Sequence, residues 1–125
     1  PLHNLKFLDL SYSKNLIKTL NFEEAMNLET IHLEGCLKLT EIDPSIGLLR
    51  KLIVLNLKDC KNLVSLPNNI LGINSLEYLS LSDCSELLQF TSNPRCYWKF
   101  RLPRKDEFKE KQFCYITQPQ GYFQI

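Results

Sequence analysis

Cysteine, histidine and carboxylate are the side chains with which this chain could do chemistry, and their spacing argues against most of it. Cys36, Cys60 and Cys84 recur every 24 residues, Cys96 and Cys114 follow, and His3 and His32 are the two histidines. A zinc site uses paired cysteines two to four residues apart, so one sulfur per 24 residues predicts no metal centre. The four glycines, Gly35, Gly47, Gly72 and Gly121, never cluster into a phosphate-cradling loop. Neither G-x-S-x-G nor H-E-x-x-H occurs, and no paired-carboxylate motif stands in their place. Nothing in sequence beside Cys96 or Cys114 would depress a thiol pKa beyond a general positive charge. No catalytic residue and no cofactor are therefore expected.

The elements that must position these residues come from a repeat. Leu5, Leu28, Leu52 and Leu76 anchor four copies of one pattern, separated by 23, 24 and 24 residues. Three residues after each anchor come Leu8, Ile31, Leu55 and Leu79, and five after come Leu10, Leu33, Leu57 and Leu81. Eight after come Ser13, Cys36, Cys60 and Cys84; eleven after, Leu16, Leu39, Leu63 and Leu87; fourteen after, Thr19, Ile42, Leu66 and Phe90. Thr19 alone breaks the apolar register, with Leu20 one place late. A 20–29-residue period with the order L-x-x-L-x-L-x-x-(C/N)-x-L is the signature of a leucine-rich-repeat solenoid. The predicted fold class is α/β, an open curved horseshoe segment with a short parallel sheet on its concave face and loops or short helical turns on its convex face.

Alternation in L-x-L sends one face of each strand into the core and the other to solvent. Leu2, Ala25, Leu49 and Ile73, three residues before each anchor, together with Ile46 and Ile70, should fill the core from the convex side. Cys36, Cys60 and Cys84 then form a buried, reduced, structural ladder, because a thiol is small, largely apolar and a weak donor. Side chains stacked in parallel do not aim at each other, so disulfides between rungs are not expected. His32 points outward and Cys36 inward, which separates the two halves of a thiol–imidazole dyad. Neighbouring copies should align Phe7, Thr30, Val54 and Tyr78 in one aromatic and apolar stripe, with Asp9, His32, Asn56 and Ser80 in a polar one beside it. Exposed aromatics beside polar groups favour partner binding, although β-branched and aromatic residues also simply suit strands. These eight residues are the candidate partner-binding surface.

At 125 residues and 44 % hydrophobic, the chain is long enough for one domain with an elongated core. An odd count of 5 cysteines without close pairs argues for a reducing compartment. No apolar run approaches the roughly 18 residues that span a bilayer, and no signal-peptide pattern precedes Pro1, which sits inside a repeat like a cut edge. Residues 1–90, the four repeats, hold 8 Lys/Arg and 11 Asp/Glu; residues 91–125, a non-repeat basic tail, hold 7 and 3. Asp106, Glu107 and Glu110 interleave with Lys105, Lys109 and Lys111, so the tail favours a solvated helix face with a Glu107–Lys111 pair over nucleic acid or an acidic membrane. Cys96, Tyr97, Trp98, Phe100 and Leu102 could fold over the last rung as a cap, since an uncovered end exposes leucines and strand edge. The competing reading is a disordered or unselected tail.

Leu5-Lys6-Phe7-Leu8-Asp9-Leu10-Ser11-Tyr12-Ser13-Lys14-Asn15-Leu16, Leu33-Glu34-Gly35-Cys36, Pro44-Ser45-Ile46-Gly47, Leu57-Lys58-Asp59-Cys60-Lys61-Asn62-Leu63, Ser65-Leu66-Pro67 and Leu81-Ser82-Asp83-Cys84 together have a family look. They resemble the leucine-rich repeats of plant intracellular nucleotide-binding disease resistance proteins, in particular the branch with a Toll/interleukin-receptor-type N-terminal domain. The resemblance covers residues 1–90; Asp43 stands where that family often has His, and Ser13 replaces Cys. Beyond residue 90 nothing matches a further repeat, and the family's C-terminal β-rich domain is much longer than this tail.

The resemblance implies a recognition and autoinhibitory segment of an innate immune receptor, cytoplasmic or nucleo-cytoplasmic. Its partner would be a protein: a pathogen effector, a guarded host protein or the receptor's own nucleotide-binding module. Nucleotide chemistry would belong to that other module, not to these residues. A stand-alone intracellular adaptor, suggested by Leu66-Pro67-Asn68-Asn69-Ile70, and a receptor gene fragment without a role are the alternatives. Extracellular repeats of the same period carry an Asn and a Gly that this chain lacks.

Three repeats are the lower limit for a stable stack. Four should be marginal, with a thermal midpoint within or below the usual mesophile range of about 45–65 °C; a cooperative calorimetric transition well above that range would contradict the expectation.

Overall fold

The computed structural model describes residues 2–87, 98–101, 114–118 and 121–122, the last three stretches by their backbone. Strands β1 (Phe7–Asp9), β2 (Thr30–His32), β3 (Val54–Asn56) and β4 (Tyr78–Leu81) come from successive copies of the pattern and lie side by side in chain order. All three pairings among them are parallel, with Leu8↔Ile31, Ile31↔Leu55 and Leu55↔Leu79 in register. A constant repeat length produces this: each circuit returns the chain to the same height one strand spacing over.

Backbone hydrogen bonds continue past the strands. The N–H seven residues after each of the first three anchors donates to the next copy, from Tyr12 to the Glu34 carbonyl at 2.7 Å, Gly35 to Lys58 at 2.8 Å and Asp59 to Ser82 at 2.8 Å. That same position has a positive φ in every copy: 62° at Tyr12, Asp59 and Asp83, and 72° at Gly35. Left-handed backbone favours glycine and is tolerated by aspartate. A tyrosine there is the exception.

Between strands the chain returns through short 3-10 turns at Phe22–Ala25, Pro44–Leu48 and Ile70–Gly72, and the described residues contain no α-helix. Asn21 and Asp43 cap the first two, their side chains accepting from the N–H groups of Glu23 and Ser45, both at 2.9 Å. Pro44 enters at the start of its turn, where its missing N–H costs nothing. On this side Lys18 and Glu41 form an isolated parallel bridge, and N–H donors of Thr40 and Val64 reach the carbonyls of Ile17 and Thr40.

Between strands and return turns lies one core. Leu28, Ile31, Leu33, Leu39, Leu52, Leu55, Leu57, Leu63, Leu79, Leu81 and Leu87 are all buried. Complete burial of such a side chain is worth about 1.5–3 kcal/mol. The first copy is less enclosed: Leu5, Leu8, Leu10, Leu16 and Leu20 are half-buried against the cluster. Leu2, expected in the core with Ala25, Leu49 and Ile73, is instead 50 % exposed, because no rung precedes it among the described residues. Thr19 is 7 % exposed and keeps its place by accepting a 2.8 Å hydrogen bond from the Asp43 N–H. A buried hydroxyl with a partner is thus accommodated in a leucine position.

Cys36, Cys60 and Cys84 are free and buried. Each thiol donates to the five-after carbonyl of the preceding copy: Cys36 to Leu10 at 3.2 Å, Cys60 to Leu33 at 3.1 Å and Cys84 to Leu57 at 3.0 Å. Ser13, in the equivalent position of the first copy, bonds the Leu10 carbonyl of its own copy at 2.7 Å. Burial pushes the Cys84 thiol up to about 12 and the Cys60 thiol well above its ordinary range.

The outer edge of β4 is occupied. Strand β5 (Trp98–Arg101) pairs antiparallel with it, Leu81↔Trp98 to Tyr78↔Arg101, and β6 (Cys114–Gln118) and β7 (Gly121–Tyr122) extend the sheet antiparallel to seven strands. The side chains of Trp98 and Phe100, all of Phe90, Cys96, Tyr97 and Leu102, and the charged run 105–111 with its expected helix face lie outside the described residues.

Two outcomes are expected. Because the unfolded thiols ionise near pH 8.5 while folded Cys60 and Cys84 stay protonated, stability should fall as pH rises above about 8.5, by up to about 1.4 kcal/mol per thiol per pH unit; urea unfolding between pH 7 and 10 on the chain and on a Cys60→Ala variant would show it. At the left-handed position, Asp59→Ala should cost about 1 kcal/mol and Asp59→Gly well under that, as chemical denaturation would report.

Candidate functional site

The outward side chains of four strands in register make one surface. Phe7, Thr30, Val54 and Tyr78 are mutual backbone partners across β1 to β4, as are Asp9, His32, Asn56 and Ser80. The two expected stripes therefore exist as aligned rows. Their exposure is uneven: Phe7 is 56 % exposed, Thr30, Val54 and Tyr78 are half-buried, and Ser80 is only 4 % exposed. Ser80 was expected to be open and is not; it lies on the strand whose far edge β5 occupies, with Lys99 as its backbone partner.

Two shallow depressions share the centre of this face. One, of about 490 Å³, is lined by Phe7, Asp9, Ser11, Tyr12, His32, Glu34 and Asn56. The other, of about 340 Å³, runs over His32, Glu34, Val54, Asn56, Lys58, Tyr78, Ser80 and Ser82. Thr30 lines neither.

Their shared wall is a hydrogen-bonded group. Asn56 turns its Oδ1 to the Lys58 N–H at 3.0 Å, which directs its amide donor to His32 Nδ1 at 3.2 Å and Glu34 Oε1 at 3.3 Å. With Nδ1 accepting, the proton of the neutral ring sits on Nε2. The Phe7 ring meets the imidazole edge-on, with centroids 5.5 Å apart and planes at 60°. Glu34 Oε2 accepts from the Tyr12 hydroxyl at 2.9 Å, an attraction that holds the phenol pKa above its ordinary value. Hydrogen bonds from the Ser11 hydroxyl and N–H hold Asp9 below the usual carboxylate range, the N–H reaching Oδ1 at 3.0 Å.

Cys36 is buried and committed to the Leu10 carbonyl, on the opposite side of the sheet from His32. Among the described residues no cluster of His, Cys, Asp or Glu could hold a metal ion, and no helix is long and apolar enough to cross a membrane.

Tyr12 and Glu34 were not among the candidate residues, yet both line the first depression. The available signal was Tyr12, Gly35, Asp59 and Asp83 recurring seven after each anchor, since Gly and Asp in such a row mark a left-handed turn. Tyr12 in that turn lays its ring over Gly35, so close that a Cβ on Gly35 would meet Tyr12 Cδ1 and Cε1. Glycine is the residue that lets the ring lie there.

No protein-family model and no solved structure matches the chain. Curated plant proteins do match parts of it. It is 51 % identical over 55 residues to Disease resistance protein RML1B of Arabidopsis thaliana, 44 % of this chain and 5 % of that protein. It is 45 % identical over 50 residues to Disease resistance protein RUN1 of Vitis rotundifolia, 40 % of this chain and 4 % of that one. A third, Disease resistance protein RPP2A of Arabidopsis thaliana, is 46 % identical over 55 residues, 44 % of this chain and 4 % of its own length. The matches thus span about a twentieth of the length of these relatives. Over two-fifths of its length, the chain is a partial homologue of plant disease resistance proteins.

Proposed function

We propose that residues 1–90 are a leucine-rich-repeat solenoid segment that recognises a protein on its strand face, as the sensing and autoinhibitory part of a plant intracellular immune receptor. The observation carrying this reading is the in-register outward face, with Phe7 exposed at one end and Tyr78 half-buried at the other. Partial identity to plant disease resistance proteins supports the receptor context. Repeats that line up identical positions make a broad, rigid surface, which suits recognition of another protein's surface better than capture of a small molecule. The partner is a pathogen effector, a guarded host protein or the receptor's own nucleotide-binding module, and the setting is the cytoplasm. The segment itself carries out no catalysis and needs no cofactor.

Expressed in leaves within its full-length gene product, the double variant Phe7→Ser/Tyr78→Ser should lose pathogen-triggered cell death, or release it without a trigger if the inhibitory contact is the one removed. Lys38→Ser on the return side should leave the response unchanged. A double variant that responds like the unmodified protein, at equal abundance, would contradict recognition on this face.

A further inference from the structure

The charges of the described rungs are sorted by side. Over β1 to β4 and the turns directly after them, Asp9, Glu34, Asp59 and Asp83 stand against Lys58, while Lys99 and Arg101 belong to β5 at the far edge. The cations Lys14, Lys18, Lys38, Arg50, Lys51 and Lys61 all fall on the return segments, where acids do not outnumber them. The carboxylate excess thus lies over β1 to β4, away from β5. An anionic partner would be repelled there, and an apolar one would strip water from carboxylates without replacing it.

Within that face the larger depression pairs charge with aromatic surface. Asp9 and Glu34 line it together with the rings of Phe7, 56 % exposed, and Tyr12, 62 % exposed, and among the described residues no lysine or arginine lines it. Glu34 is already held by the Tyr12 hydroxyl and the Asn56 amide, one donor per oxygen. A carboxylate has about four acceptor sites, so capacity remains on a side chain whose rotamer is set before any ligand arrives. A planar cation that stacks on rings and forks onto carboxylates is a guanidinium; an ammonium does the second without the first.

We propose that the strand face takes an arginine-bearing segment of the partner protein, a guanidinium seating in the depression formed by Phe7, Asp9, Tyr12 and Glu34. The proposal rests on the protein-recognition reading above and specifies the chemistry of the partner.

The test uses the intact 125-residue chain and a labelled Gly/Ser peptide carrying three arginines, with versions bearing lysine or neutral, isosteric citrulline, read by fluorescence anisotropy. The arginine peptide should bind, weaken as salt rises, and exceed the citrulline peptide by about tenfold or more, with lysine in between. Glu34→Gln and Asp9→Asn keep an acceptor for Tyr12 and Ser11 and should each weaken the arginine peptide by about tenfold, with thermal melts showing that they fold. Glu23→Gln/Glu41→Gln on the return side should leave binding unchanged.

Equal binding of the arginine and citrulline peptides, or equal loss from the return-side variant, would overturn the proposal. So would binding seen only after Arg104, Lys105, Lys109 and Lys111 are changed to Gln, which would give the face to this chain's own basic segment. If the Phe7→Ser/Tyr78→Ser receptor loses its response while Glu34→Gln and Asp9→Asn change neither peptide binding nor response, recognition on this face stands and the cationic partner falls.

Discussion

Parallel pairing at one fixed register, Leu8 to Ile31 to Leu55 to Leu79, is the constraint on which the rest depends. It places residues of like position beside each other, so a choice made once in the pattern becomes a row in space. Side chains have a period of two along a strand, and a slip by one residue would turn every leucine to solvent and every outward residue into the core. The buried leucines therefore hold the register, and the register holds the face that we assign to recognition.

Polar groups inside this stack are reconciled with it by bonds between neighbouring copies. The three thiols each donate one rung back, and the Thr19 hydroxyl accepts from one rung ahead. On the return side the part-buried Ser45 Oγ accepts from one rung back, from the Phe22 N–H at 2.7 Å. Each of the carbonyls that the thiols reach already accepts from the N–H three residues on and has a second lone pair, so a small donor at the eight-after position answers a second, weaker need that recurs every turn. Cysteine meets it with little polar surface of its own, and the same burial that makes it useful there removes it from redox and nucleophilic chemistry.

The first copy is the irregular one, and its irregularities meet at the candidate site. It has the tyrosine in a left-handed turn, the serine in the cysteine position and Phe7, more exposed than Tyr78 on β4. A bulky residue at positive φ is strained, and such strain is kept where something else is gained. What Tyr12 gains is a seat on Gly35 and a hydrogen bond to Glu34. The polar group around His32 thus joins three copies, Tyr12 from the first, His32 and Glu34 from the second and Asn56 from the third, and belongs to none of them alone.

The strand positions, the inward leucines, the buried cysteines and the two outward rows were legible in the sequence, because a period of 23 or 24 residues leaves few ways to bury one apolar side chain in each copy. What periodicity could not show was how unlike residues meet across copies. At position seven Gly35, Asp59 and Asp83 hint at one left-handed turn, but Tyr12 does not, and the shared positive φ is what places it in the same row. Ser80 has the sequence position of an open residue and is nearly closed, since exposure depends on what lies beside the last strand. Leu2 fails in the opposite sense, a core residue by pattern and half exposed by place. Pattern is local and determines which way a side chain points; burial and partnership depend on the neighbours that the tertiary structure brings, and these differ at the two ends of any finite stack.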